Sequence, residues 1–429
     1  MVTAQYQQVI VTNDAWQATP ISPPLAALFK NSMSYCCMLI AEILTMEYVI
    51  MKNIKALTSL LVAGSLIISS VGNAFACTSL MVMDKKGNAY HARTMEFSVQ
   101  IPTSLTYFPA GTKIESATPA GKKGLSFNTQ YAILGMSANL IPGAKQVGFV
   151  EGANDQGVSV SMNWLNDSTS QAVGTDDTKI LAANDLISWM LGNFKSVAEI
   201  KAAMTNGSTE LWNPISIPFD KSAPMPGHYA INDKTGAALV VEFTNGKANV
   251  YDNPVGVMTN GPDFPWHLQN LNNYTFTNVD KNTGQLGKLK LGTQDAGIAL
   301  TALPSAQTSQ GRFVKAAFYA NYVGKANSPD EAINTLGHIM NNFDRPVDLT
   351  VDGAGGVGDG ARSKSISSEV TEWTVMNDPT RNLYYVRSIG ALNWSVIDMN
   401  QLKDVKTIKS VSTYDVDKAG ANAFTLFLK

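Results

Sequence analysis

Apolar and small polar residues alternate through Val158-Ser159-Val160-Ser161-Met162-Asn163-Trp164, the pattern of a strand covered on at least one face. Similar short runs recur from Cys77 onward: Cys77–Met83, Ala89–Arg93, Leu105–Phe108, Tyr131–Met136 and Val147–Glu151. Asp84-Lys85-Lys86-Gly87-Asn88 turns the first run into the second, with Gly87 suited to positive φ, so Cys77 and Arg93 fall on adjacent strands. Asn154–Gly157 turns the chain into Val158. His228–Asn232, Ala238–Phe243 and Ala248–Tyr251, joined at Asp233–Gly236 and Asn245-Gly246, read as a meander. Gly256–Asn260 is a short strand entering a Gly-Pro turn. Glu372–Met376 and Leu383–Ser388 close the chain as a hairpin.

Helix signals are fewer. Asn184 is placed to cap Asp185–Leu191, and Ser196–Glu199 has capping-box spacing for a helix ending near Asn206-Gly207. Trp266–Tyr274 reads as helical, and Gly311-Arg312 precedes a helix over Phe313–Tyr322. Ser328-Pro329-Asp330-Glu331 combines an N-cap, a first-turn Pro and Glu at N3, opening a helix to about Asn342. Asp352–Gly356 is glycine-rich without a following Lys-Ser/Thr, so it is a loop and not a phosphate cradle. Strands, a helical pair, a meander, more helices and final strands follow one another without regular β-α alternation. That order predicts an α+β fold, antiparallel sheets with helices packed outside.

The chain before Cys77 has a different character. Met1–Ile50 holds no sustained period, and its apolar stretch Tyr35–Ile50 carries Glu42 and Glu47, a poor membrane span. Met51-Lys52-Asn53-Ile54-Lys55 is a basic start, Ala56–Val71 an apolar run, and Ala74-Phe75-Ala76 a small-x-small cleavage site. The expected organisation is therefore a spurious or disordered extension over 1–50, a signal peptide over 51–76 and one domain over 77–429. Cleavage after Ala76 removes Cys36 and Cys37 and leaves one thiol, on the N-terminal residue Cys77. An α-amino group titrates near ~7.7–8.0, so nucleophile and proton acceptor would share one residue. Two other readings stay open at this point: a plain export junction with Cys at +1, and a lipidated Cys77, which bulky Phe75 at −2 opposes.

Charge and composition narrow the field. A net charge of −2 and a pI of about 6.1, with no long basic run, speak against nucleic acid. A lone mature cysteine rules out internal disulfides and cysteine metal clusters, and His91, His228, His267 and His338 lack close ligand spacing. No metal and no cofactor is expected. The part after Cys77 has no apolar stretch long enough for a bilayer. Removal of the signal peptide makes a periplasmic or secreted protein, with no membrane association after processing, the expectation.

Cys77-Thr78-Ser79-Leu80, the turn at Gly87-Asn88 and Ala92–Phe97 resemble the start of the choloylglycine hydrolase family, which contains bile salt hydrolases and penicillin V acylases. The resemblance continues through Asn154–Gly157, Ser161–Trp164, Gly256–Pro262, Asn270–Tyr274 and Gly311–Lys315, in family order. It implies the N-terminal-nucleophile αββα sandwich, two antiparallel sheets between helix layers. It also implies hydrolysis of a linear non-peptide amide and a homo-oligomer, by family habit a tetramer. Residue by residue, it makes Cys77 the nucleophile and Arg93 the cation beside it. Glu96 stands where the family usually has Asp. Asn163 would lend its backbone N–H, and Asn260 its side-chain amide, to an oxyanion hole, with Arg312 a second site arginine. Phe97, Trp164 and Trp266 are candidate apolar walls. The partner is a small N-acyl amide: a conjugated bile salt or penicillin V, or alternatively an N-acyl homoserine lactone. A non-enzymatic envelope binding protein or lipoprotein with a degenerate site is the rival, favoured by Glu96.

Overall fold

Asp84 Oδ1 accepts from the backbone N–H groups of Lys86 and Asn88, at 2.8 Å each, and Gly87 takes φ 85°. This turn closes strand β1 (Ala76–Met83) onto β2 (Ala89–Phe97), with Cys77 opposite Met95 and Ser79 opposite Arg93. The computed structural model describes residues 76–97, 101–138, 148–214, 226–275, 283–292, 297, 300–347, 349 and 369–428. The 1–50 extension, the signal segment up to Phe75 and the Asp352–Gly356 loop lie outside the described residues.

The chain continues through β3 (Thr103–Phe108), β4 (Lys113–Ala117), β5 (Lys123–Asn128), β6 (Ile133–Ala138), β7 (Gly148–Asn154) and β8 (Val158–Trp164). Then come β9 (Ile180–Ala182), α1 (Ala183–Asn193), α2 (Val197–Thr205) and β10 (Glu210–Trp212). The meander is β11 (Gly227–Asp233), β12 (Ala238–Thr244) and β13 (Lys247–Asp252), followed by β14 (Val257–Met258) and α3 (Phe264–Asn270). A surface hairpin, β15 (Thr283–Leu286) and β16 (Leu289–Gly292), precedes α4 (Ser309–Tyr322) and α5 (Pro329–Met340). Last are β17 (Val370–Asp378), β18 (Leu383–Ser388), β19 (Ser395–Asp398), β20 (Lys409–Ser412) and α6 (Thr413–Ala419).

Two antiparallel sheets form the body, ordered β14-β1-β2-β17-β18-β19 and β13-β12-β11-β8-β7-β6-β3-β20. Their period-two patterns sort side chains into layers. Leu80, Val82, Tyr90 and Ala92 pack against α4 and α5. Val158 and Val160 pack against α1. Met95, Trp373, Tyr384, Leu134 and Met136 fill the space between the sheets. The result is the expected αββα arrangement. Both faces of β8 are covered, and its small polar residues face the other sheet: Ser161 Oγ lies 3.5 Å from His91 Nε2.

Three expectations need correction. Asn184 does not cap a helix. β9 runs straight into α1, Ala182 occupies the cap position without a side-chain bond, and Asn184 lies within the helix. Arg312 lies inside α4, which starts three residues earlier because Thr308 Oγ1 accepts from Gly311 N. The hairpin of β17 and β18 does not close the fold. β19 extends one sheet and β20 the other, and both are four residues long, too short for a periodic signal.

Candidate active site

Register brings the first residues of the site together. Cys77 sits opposite Met95, so Arg93, two residues on along β2, projects from the same face. Arg93 Nη2 lies 3.4 Å from Cys77 Sγ and donates to Met162 O at 2.6 Å, while Nε donates to Asn163 Oδ1 at 3.1 Å. The guanidinium carbon stands 4.8 Å from the Trp373 ring centroid, a cation–π contact. β8 is thus tied to β2 at the nucleophile's edge, and Ser79 Oγ reaches Asn163 Oδ1 at 3.4 Å.

β14 delivers Asn260 just beyond its end. Asn260 Oδ1 accepts from Cys77 N at 2.7 Å and from Arg312 Nη2 at 2.9 Å. Two donors on one oxygen fix the amide's orientation, so Nδ2 points the other way and donates to Trp164 O at 3.0 Å. Asn260 is held by three further contacts: its N–H reaches Ser309 Oγ at 3.0 Å, its carbonyl accepts from His267 Nε2 at 2.8 Å, and its neighbour Thr259 accepts through its carbonyl from His228 Nε2 at 3.0 Å. Burial pushes His267 down to about 4, which keeps that ring neutral.

Arg312 enters from the helix layer. Nη1 donates to Cys77 O at 2.5 Å and to Thr78 Oγ1 at 2.8 Å, and Nε donates to Gln307 O at 3.0 Å. Glu96, paired with Ala76 in the ladder, is fully buried and accepts from Thr371 Oγ1 at 3.2 Å. Its other oxygen has no hydrogen-bond partner among the described residues. Burial raises the Glu96 carboxyl against the pull of Arg312 and Arg345. Burial also raises the Cys77 thiol, Glu96 adds to this, and Arg93 and Arg312 oppose it.

All six polar residues expected from the sequence therefore share one buried neighbourhood. Of the three apolar candidates, Phe97 and Trp164 meet edge to face with centroids 6.3 Å apart. Trp266 is 40% exposed on α3, edge-on to His267. Sequence reasoning missed the support behind Glu96. Arg345 pairs with Glu369 and donates to Gln307 O, and its own N–H reaches Thr371 Oγ1 at 2.8 Å. None of these residues sits in a motif, and only the fold brings Arg345 and Thr371 beside β2. Ser309 and His228 are likewise visible only through their contacts.

Residues 77–410 match the model of the linear amide C–N hydrolases, choloylglycine hydrolase family. This chain belongs to that family. The choloylglycine hydrolase match starts at Cys77 itself. The chain is 30% identical to a bile salt hydrolase/transferase of Clostridium perfringens (strain 13 / Type A) over 355 residues, 80% of this chain and 99% of that one. It is 25% identical to a bile salt hydrolase/transferase of Lactiplantibacillus plantarum, over 73% of this chain and 90% of the other. A crystal structure of a variant conjugated bile acid hydrolase from Clostridium perfringens superposes with a TM-score of 0.64 at 26% identity, covering 78% of this chain and 97% of that one. Penicillin V acylase from Agrobacterium tumefaciens shares the fold, with a TM-score of 0.60 at 22% identity over 78% of this chain and 90% of that one. The protein is a choloylglycine-family enzyme that hydrolyses linear amides.

Proposed function

We propose that the processed protein begins at Cys77 and cleaves a conjugated bile salt or a penicillin V type amide outside the cytoplasm. The observation that carries this reading is the double placement of Cys77: sulfur beside Arg93 Nη2 at 3.4 Å, nitrogen on Asn260 Oδ1 at 2.7 Å. The start of the family match at the same residue supports it. In the full chain that nitrogen is an amide and cannot take a proton. Freed by cleavage, the α-amine takes the thiol proton and the thiolate attacks the substrate carbonyl. The Asn163 N–H and Asn260 Nδ2 hold the resulting oxyanion. Collapse passes a proton to the leaving amine and leaves a thioester on Cys77, which water splits to the free acid. Asn260 Nδ2 must then turn part of its bond from Trp164 O to the oxyanion. Ala76 is buried in the ladder with Glu96, so an external peptidase reaches the Ala76–Cys77 bond before β1 docks on β2.

Phe97 and Trp164 form the apolar wall for the acyl part. Bile acid and phenoxyacetyl groups both present such a face, and the activities of the bile salt hydrolase and penicillin V acylase relatives support both substrates for this chain. Intact mass of the exported protein combined with a panel of glycine-conjugated bile salt, penicillin V and N-acyl homoserine lactone tests the reading. A mass starting at Cys77 with turnover of one of the first two is expected. A lipid adduct, or turnover of the lactone alone, would replace the proposal.

The protein is further proposed to be a homo-oligomer. Leu286, Leu289 and Leu291 stand 71%, 61% and 48% exposed on the β15–β16 hairpin, apolar surface that a second copy would cover. Light scattering should give a multiple of the chain mass, reduced by Leu286→Lys with Leu289→Lys; a monomeric wild type refutes it.

A further inference from the structure

Arg93 is 1% exposed, and its direct partners carry no formal charge while Cys77 is a thiol. They are Asn163 Oδ1, Met162 O, Met95 Sδ, the Trp373 ring and the thiol itself. Its Nη1 has no hydrogen-bond partner among the described residues. A buried cation calls for a counter-charge. Two buried carboxylates lie near it: Glu96, three residues on along β2, and Glu151, which accepts from Asn377, two residues along β17 from the Val375 that pairs with Arg93. Glu96 answers first to Arg312 and then to Arg345, on the helix side of the sheet. Glu151 remains.

Glu151 is fully buried on β7, opposite Ser161 of β8. Its carboxyl spans the sandwich: Tyr384 OH of β18 donates to Oε2, and Asn377 Nδ2 of β17 donates to Oε1 at 3.1 Å. β2 contributes Arg93 and also His91, which burial keeps neutral, down to about 3. β6 places Met136 opposite, and β8 places Ser161, both uncharged. Hydrogen bonding and burial thus hold a carboxyl in the layer that Arg93 occupies, where hydrolysis as described above assigns it no task.

We propose that Glu151 is a charge-setting residue for this hydrolase: from the layer that Arg93 occupies, without touching it, it decides whether Cys77 Sγ faces a guanidinium alone or a guanidinium with a buried carboxylate nearby. The inference rests on Cys77 being the nucleophile, and not on its substrate. Arg93 is already oriented by Asn163, Met162 and Trp373, so the charge of Glu151 matters more than its grip. Burial drives this carboxyl up to about 7, against the pull of Tyr384, Arg93 and Asn377. Below that range Glu151 is neutral and the arginine's field on sulfur is undiminished. Above it the carboxylate opposes the thiolate, so the thiol titration is broadened toward high pH.

The test reads the thiol and not amide turnover. Iodoacetamide alkylation of Cys77 is followed against pH, on the peptide that carries it, in protein made from the full chain. Glu151→Gln is expected to lower the midpoint by about half a pH unit and sharpen the curve. Tyr384→Phe should lower it less, because losing that donor keeps Glu151 protonated to higher pH. Glu151→Asp should return it toward wild type. A midpoint unchanged or raised in folded Glu151→Gln overturns the proposal; if that variant does not fold, Tyr384→Phe decides by the same sign. Shifts of this kind in a protein inert toward all three amides would sink the substrate reading and leave this one standing.

Discussion

Replacing Cys77 by Ser is expected to lower kcat/KM by about a thousandfold or more while leaving the fold intact. The two side chains differ by one atom, and Cys77 is 3% exposed, in contact with Met95 Sδ at 3.8 Å and Arg93 Nη2 at 3.4 Å. An alcohol keeps the position and can accept from the guanidinium, so thermal unfolding should shift little. Chemistry is what changes. An α-amine that titrates near ~7.7–8.0 can take a proton from a thiol whose ordinary value is ~8.5, but a hydroxyl holds its proton far more tightly. Arg93 can offset burial for a thiolate and not for an alkoxide. Initial rates on the substrate that wild type cleaves best, with melting curves alongside, check both halves. Full activity in a folded Cys77→Ser protein would mean that another group attacks the amide.

Local pattern exposed the strands at the site well. The Gly87 turn placed Cys77 and Arg93 on neighbouring strands, and β8 matches its alternating run end to end. Phe97 shows where that method stops: β2 continues four residues past Arg93 because β17 pairs with it from His91 to Phe97, a neighbour far away in sequence that no local window contains. The same holds for function. Cys77, Glu96, Asn163, Asn260 and Arg312 stood in blocks similar to a family, and so could be named. Glu151, Arg345, Glu369 and Thr371 act through contacts made across the sandwich or between loops, and their one-dimensional surroundings carry no mark of it. Glu151 in particular sits in a strand-like run, Gly148–Asn154, where a lone acid reads as solvent-facing. Burial reverses that reading, because a carboxyl without solvent must find donors, and Tyr384 and Asn377 supply them.

The second large effect is expected at Arg312. Replacing it with Leu should destabilise the protein by about 3–5 kcal/mol and abolish hydrolysis together. Four donor bonds leave at once, to Cys77 O, Thr78 Oγ1, Asn260 Oδ1 and Gln307 O. Asn260 loses one of the two donors that orient its amide, which would misplace Nδ2 relative to the oxyanion. Arg312→Lys should recover only part of either loss. A single ammonium keeps the charge, but it cannot span Cys77 O and Asn260 Oδ1 with the planar fork that reaches both. Burial pushes Arg312 down to about 10, still charged at neutral pH, so its removal leaves Glu96 without the foremost group holding its proton affinity down. The sign of the pH dependence follows. Glu96 already binds its proton more tightly in the folded protein than in the unfolded chain, and would do so further in the variant. Such a group stabilises the fold at low pH and loses that contribution as pH rises through its folded value. The deficit of Arg312→Leu relative to wild type should therefore shrink as pH is lowered from about 8 to about 5. Urea unfolding at several pH values measures it. A deficit that is constant with pH would show that Glu96 does not depend on this arginine, and that its charge is balanced through Arg345 alone.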